Sequence, residues 1–401
     1  MAFMAESHLL WVLIPTGQRA SGEWIDDTLK LRAAEAGLSA KIPLAGNFPR
    51  QRVEAIRDPD PTVRVNTLFY QRGWTDGLPV VPPTVERVEA MVRDAGLGKN
   101  HVVGEVQPLG GLATIERVAA NAVMAGCDDR HFPVVIAIVE ALLDPAFNLR
   151  GVQTTDESVA PLAVFSGPEA QRLEINAGTG ALGPGWRGNA AIGRAIRLIM
   201  NNLGGGWPGA VSLAGLGHPG RYTLCFAERE ADSPWEPLRV ELGRTADENT
   251  VVVFRAETIV NVTGGLEEIA SVMASAASYF TMLHSGKVAV ALSPYVAHQL
   301  AERDWTKRNV QEFLHSEGRL RTEQWERSWI RRTVKAPAAW PDWVQRAAAS
   351  GSIPAVKEPA DISVIVAGAN LPIPQNAYFP SWGFPPCRIV RPVRFPGLTP
   401  T

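Results

Sequence analysis

The chain reads as an α/β protein, a mixed multi-layer fold with a doubly wound parallel-sheet unit in its C-terminal part. Three observations predict this. Apolar, β-branched runs at Val159 to Phe165, Thr250 to Arg255, Val288 to Leu292 and Ile362 to Ala367 suit strands covered on both faces. Helical patterns alternate with these runs, as strand–helix–strand units in a covered sheet require. The chain has 401 residues, 46% hydrophobic and 20% charged, enough for two or three domains with ample core.

Taken in order, residues 1–60 read as an appendage. Its apolar run Leu9 to Ile14 suits a buried strand, and Trp24 to Ala36 a helix ended by Gly37. Residues 61–249 read as a glycine-rich α/β core. In it, Gly73 to Thr84 (GWTDGLPVVPPT) carries three prolines and two glycines, so it is a rigid loop. Thr84 suits the N-cap of a helix through Arg93. A second helix spans about Thr114 to Ala125 and stops at Gly126. A third, apolar on nearly every face and therefore buried, starts after Asp129 and runs to Asp144. Tyr222 to Ala227 reads as a further strand.

Residues 250–370 hold the expected doubly wound unit. One long helix, Leu266 to His284, precedes strand Val288 to Leu292. Helices from about Tyr295 to Glu302 and Thr306 to His315 follow, then a Trp-rich helical stretch and the Ile362 strand. Residues 371–401, with Pro380, Pro385, Pro386, Pro392 and Pro396, read as an extended tail.

Composition narrows the function. A formal net charge of −2 offers no electrostatic case for nucleic acid or an acidic membrane. The run Leu9 to Ile14 is too short for a signal-peptide core or a membrane span. Three widely spaced cysteines, Cys127, Cys225 and Cys387, form no disulfide framework. The expectation is a cytoplasmic chain with reduced thiols and a small-molecule substrate, with a homo-oligomer as an option.

The densest signal is Asn176 to Gly209. A loop with Gly178, Gly180, Gly183, Gly185 and Gly188 runs into a basic amphipathic helix. Glycine is costly to order, so such density points to a close backbone approach, either to a ligand or to another segment of the chain. The helix start near Asn189 would offer free N–H groups and a positive dipole end, and Arg187 and Arg194 would add charge. The substrate-binding set is therefore Gly178, Gly180, Gly183, Gly185, Arg187, Asn189 and Arg194. The GxGxxG spacing at Gly178 is a poor dinucleotide fingerprint, because Pro184 and Gly185 delay the helix. No Lys-Ser or Lys-Thr follows, so a P-loop is excluded.

Two constellations carry candidate catalytic groups. In Ala125 to Pro133 (AGCDDRHFP), Cys127 sits at a helix junction, where a helix start lowers a thiol pKa and His131 would act as its base. Asp128 and Asp129 oppose that effect, and a small buried packing cysteine is the alternative. His218, in a Gly-Pro-Gly loop before a strand, is the third catalytic candidate; otherwise it is a turn histidine bonded to backbone. The sequence indicates no cofactor. A metal would need distant ligands such as His218, Asp128 and His131, since HxH, HExxH and CxxC spacings are lacking. Asp76 reads as an Asx-turn acceptor and Trp235, between prolines, as a rigid wall.

Several strings resemble one family. They are GWTDGLPVVPPT, AGC at Ala125 to Cys127, GNAAIGRAIRLIMNNLGG, HPGRYTLCFAE, SPWEPL and SPYVAHQLAERDWTKRNVQEF. Together they resemble a group of largely uncharacterised bacterial proteins associated with UGSC-type (seleno)proteins. The resemblance spans Leu68 to Gly368. It implies thiol or selenol chemistry through a motif that would read CGSC with cysteine. This chain has no such pair, so the motif would sit on a partner chain. Three functions stay open: an enzyme acting on a small, polar, anionic substrate by addition–elimination, lyase or hydrolytic chemistry; a binding or scaffold subunit of a thiol/selenol redox complex; and a metal-dependent hydrolase or lyase.

Overall fold

The computed structural model describes residues 60–396, apart from 94, 337 and 338. The expected strand and helix of the N-terminal appendage lie outside the described residues. The helices are α1 (Pro61–Gln71), α2 (Val85–Arg93), α3 (Ile115–Ala125), α4 (Phe132–Leu142), α5 (Leu149–Thr154), α6 (Arg187–Asn202), α7 (Leu238–Glu241), α8 (Leu266–Met273), α9 (Tyr279–His284), α10 (Pro294–Ala301), α11 (Lys307–Glu317), α12 (Thr322–Arg327), α13 (Trp329–Thr333) and α14 (Asp342–Ala349). The strands are β1 (Val102–Val106), β2 (Gly111–Thr114), β3 (Ala160–Ser166), β4 (Cys225–Ala227), β5 (Thr250–Ala256), β6 (Val260–Thr263), β7 (Val288–Leu292), β8 (Arg319–Arg321), β9 (Ser352–Pro354), β10 (Ile362–Val366), β11 (Gln375–Phe379) and β12 (Ile389–Pro392).

Two four-stranded mixed sheets organise the molecule. One has the order β12-β5-β3-β4 and the other β10-β7-β11-β6. Side chains alternate along each strand, and that alternation builds the layers. Leu162 and Val164 of β3, with Val252 and Phe254 of β5, share a core with Ala289, Ala291, Ile365 and Phe379 of the other sheet. Ala163, Phe165, Val251 and Val253 face the opposite way, against α3, α4 and α6. Val288, Val290, Ile362 and Val364 face α8, α10 and α11. The sheets therefore stack face to face, with helices covering each outer side. Both faces of every central strand are dry, so the strands read as continuous apolar runs.

This arrangement corrects the doubly wound unit expected over 250–370. Parallel pairing joins only β3 to β4 and β7 to β10, while β11 runs antiparallel to both β6 and β7. The β10-β7-β11-β6 sheet carries helices on one face only, because the other face is taken by the second sheet. Strand β5 pairs with β3 and β12, and the expected extended tail supplies both β11 and β12. The single helix expected from Leu266 to His284 breaks after Met273, where the Ser275 hydroxyl donates to the Val272 carbonyl and accepts from the Ala277 N–H. Strand β4 begins at Cys225 rather than Tyr222, because Pro219 to Arg221 form a 3-10 turn.

Candidate functional site

The junction between α3 and α4 is built as a helix stop followed by a cap. Gly126 takes the left-handed conformation, φ +87°, at the end of α3. The Asp128 side chain accepts from the Arg130 N–H, and the Asp128 N–H donates to His131 Nδ1 at 3.2 Å. His131 Nε2 lies 2.8 Å from the Leu173 carbonyl. The ring is therefore a neutral Nε2–H tautomer with both nitrogens engaged. Burial also holds its pKa below the usual histidine value. His131 is fully buried and caps this junction, so it is not free to serve as a base for Cys127.

Cys127 itself is 7% exposed, and burial raises its thiol pKa, with the nearby Cys225 adding to the effect. The expected activation by a helix start is reversed because desolvation outweighs the dipole. Cys225 is pushed up to about 12 and Cys387 is raised, both by burial. All three thiols are free and buried.

The glycine loop is held by two asparagines. Asn176 Oδ1 accepts from the Gly178 N–H at 2.8 Å, and the Gly183 N–H donates to the Gly180 carbonyl. Asn189, buried on α6, accepts from the Asn176 N–H at 2.7 Å and donates to the Asn176 and Ala181 carbonyls. The Gly178, Ala181 and Gly183 amides of the loop are thus spent inside it. Gly180 and Gly185 sit at φ +73° and +116°, which explains them as turn residues. A Cβ on Gly188 would lie 2.7 Å from the Glu174 carbonyl oxygen, so that glycine serves close packing.

Arg194 is not aimed at a ligand. Its Nε and Nη2 each reach Asp76 carboxylate oxygens at 2.8 Å, and Nη2 also donates to the Pro79 carbonyl. Asp76 accepts from the Leu78 N–H as well, as its Asx-turn reading expects. Arg187 remains 60% exposed, with Nε donating to the Gly126 carbonyl. Beside it, α6 starts at Trp186 without a side-chain cap.

His218 caps the turn before β4. Its Nδ1 accepts from the Gly220 N–H at 3.1 Å, and its Nε2 is sealed from solvent against the Ser158 backbone. Burial and the Arg221 cation hold its pKa down. It is the backbone-bonded turn histidine rather than a free base. Among the described residues no three His, Cys, Asp or Glu side chains gather to hold a metal ion, so the His218, Asp128 and His131 set does not form.

The acid–base group that does form was missed in the sequence. Glu157 lies before β3 and Glu257 just past β5. Because β3 and β5 are antiparallel, with Ala160 opposite Ala256, the two carboxyls come together at one end of this central strand pair. Burial, with the repulsion between the two carboxyls, pushes Glu257 up to about 8, and burial raises Glu157 as well. Glu257 Oε2 faces no donor. Two ionised carboxylates only accept and repel each other, so their proximity favours the protonated form of one of them. Both residues are half-buried, with Glu257 Oε2 closed off from solvent. The loop bearing His218 is tied alongside, with the Gly217 N–H donating to Ser158 Oγ at 3.0 Å. The only available signals were a polar TTDES run and a glutamate ending an apolar strand, 100 residues apart.

Elsewhere, buried Glu228 accepts from the Leu238 N–H and Ser166 Oγ and pairs with Lys307 at 3.5 Å. Trp235 donates through Nε1 to the Trp305 carbonyl. A groove of about 470 Å³ between the end of α2 and the start of α3 is lined by residues such as Val92, Leu97, Lys99 and Glu116, and none of the groups above borders it. Comparison with protein-family models, curated proteins and solved structures returned no match to this chain.

Proposed function

We propose that the protein is an enzyme acting on a small polar organic substrate by proton-transfer chemistry of the lyase or hydrolase kind. The Glu157–Glu257 pair carries this reading. A carboxyl that titrates near 8 is protonated at neutral pH and donates a proton to a leaving group, with the second carboxyl beside it. Perturbed carboxyls of this sort concentrate at functional sites. An anionic substrate was expected from the glycine loop, the Asn189 helix start and Arg194 together, and Arg194 is spent on Asp76; the proton-transfer reading does not depend on substrate charge. The test is a screen of hydroxy acids, amides and lactones with the purified chain, followed by Glu157→Gln and Glu257→Gln on any turnover found. Loss of at least a hundredfold in kcat, with a pH profile inflecting near 8 in the wild type, is expected. Turnover indifferent to both substitutions would overturn the assignment.

A second reading has its own observation. All three thiols are buried with raised pKa, so any thiol or selenol chemistry would come from another chain. In that reading the protein is a binding or scaffold subunit of a redox complex, as the UGSC-type resemblance implies. The uncapped start of α6 beside Arg187 would then receive an anionic group. Copurification with a thiol- or selenol-bearing partner, together with no turnover by the isolated chain, would favour it.

A further inference from the structure

Arg255 lies inside the protein and has no counter-charge among the described residues. It is the penultimate residue of β5, on the helix-covered face, and is fully buried. Its Nη1 donates to the Phe147 and Phe384 carbonyls at 3.3 and 2.6 Å. The guanidinium sits over the rings of Phe147 and Trp382, 5.9 and 5.6 Å from their centroids. Its Nε and Nη2 have no acceptor among the described residues. The acidic group of this region, Asp144, is spent on Arg391 at 2.5 Å. His284 is turned away, its Nδ1 2.7 Å from the Trp382 carbonyl. Cys387 is near, but burial keeps its thiol protonated and neutral.

A buried guanidinium stays charged, and an uncompensated charge in an apolar interior is strongly unfavourable. Water answers a free N–H but does not neutralise the cation. The unused atoms also form a definite shape. Nε and Nη2 make one edge of the guanidinium, a parallel pair of donors matched to two oxygens. Arg194 uses that same edge for the Asp76 carboxylate. The flanking rings would sandwich something flat and small. The loop over the site is thin, because Phe384 is 56% exposed while Trp382 beneath it is 6% exposed.

We infer that the Nε–Nη2 edge of Arg255 is a binding site for a small carboxylate, held bidentately between Phe147 and Trp382 under the Trp382–Cys387 loop. The occupant is a small carboxylate such as formate or acetate, matched to the two-donor edge. The site is separate from Glu157 and Glu257 and does not rest on the proton-transfer reading.

Equilibrium dialysis of the full chain against labelled acetate, at ionic strength held constant with sulfate, tests it. One acetate per chain is expected, displaced by formate. Thermal melting should show a saturable rise of about 2–4 °C with acetate. Arg255→Lys keeps the charge and loses the two-donor edge, so it should weaken acetate binding at least tenfold. Arg255→Met should abolish it. If neither variant folds, dialysis of the wild type still decides. No bound acetate, or binding unchanged in Arg255→Lys, would overturn the inference. Chloride displacing acetate at equal concentration would overturn the carboxylate assignment, since a spherical ion does not need the paired edge.

Discussion

Arg194 and Asp76, 118 residues apart in sequence, form a two-bonded ion pair that clamps the Gly73–Thr84 loop onto α6. The Asp76 side chain is 3% exposed and that of Arg194 16%, so the pair is largely desolvated. Removing one partner strands a buried charge. Arg194→Ala is therefore expected to cost about 3–5 kcal/mol of folding stability. Asp76→Ala should cost a similar amount, and the double variant clearly less than the sum. Urea unfolding of the three variants reads this directly. Simple additivity would show that the pair is not coupled.

The thiols should be slow. With burial holding all three in the protonated form, Cys127 is expected to label no faster than Cys225 or Cys387 with a maleimide at neutral pH. All three should react at once in denaturant. Mass mapping of a limited labelling reaction checks the order. Rapid, selective labelling of Cys127 in the native protein would restore its candidacy as a nucleophile.

Glu257 makes stability fall with rising pH. Its folded pKa, about 8, lies above the unfolded carboxylate value, so the folded state binds the extra proton between those values. The penalty is absent below about pH 4, grows through the window and is complete above about pH 8. Glu257→Gln cannot ionise. It should match the wild type near pH 5 and be more stable at pH 9, by roughly 1–3 kcal/mol after allowance for partial exposure. Equal stability at pH 9 would mean the two carboxyls do not meet.

His131 has the opposite sign. Its pKa is lowered by burial, so the unfolded chain binds its proton more readily. Stability is full above about pH 6.5 and drains away as pH falls below it. His131→Gln should therefore flatten the decline between about pH 7.5 and pH 5, read by chemical denaturation at each pH. An unchanged slope would place the acid sensitivity elsewhere.

Gly193, mid-helix in α6, should reject even alanine. A Cβ there would lie 2.3 Å from Thr223 Oγ1 and 2.7 Å from the Leu224 N. Helix propensity favours alanine by up to about 1 kcal/mol, but overpacking against backbone costs about 1–3 kcal/mol and should win. A raised melting temperature in Gly193→Ala would show that α6 shifts freely from β4.

Much of the secondary structure was legible because its causes are local. Gly126 ends α3, Thr114 caps it through its side chain, and the apolar runs became β3, β5, β7 and β10. Misreadings fell where a distant partner decided the outcome. A chain of buried strands between helices suits a doubly wound sheet and a pair of stacked sheets equally well. The choice was made by Phe226 meeting Phe379, ring centroids 6.2 Å apart, across the two sheets. The site shows the same division. Arginine, glycine and histidine positions were picked out by residue type, but their roles depended on neighbours the sequence does not bring near.

Residue order alone determined an α/β chain with a dry interior, the caps and stops of its helices, and the turn built on Asp76. Those features follow from periodicity and backbone chemistry within a few residues. Tertiary structure decided which charges are spent and which are left over. It turned Arg194 to Asp76, used both nitrogens of His131 in a cap, buried Cys127, and brought Glu157 against Glu257. It also left Arg255 without a counter-charge among the described residues. Burial and pairing set the free energy of a charge, and both are properties of segments that meet only when the sheets stack.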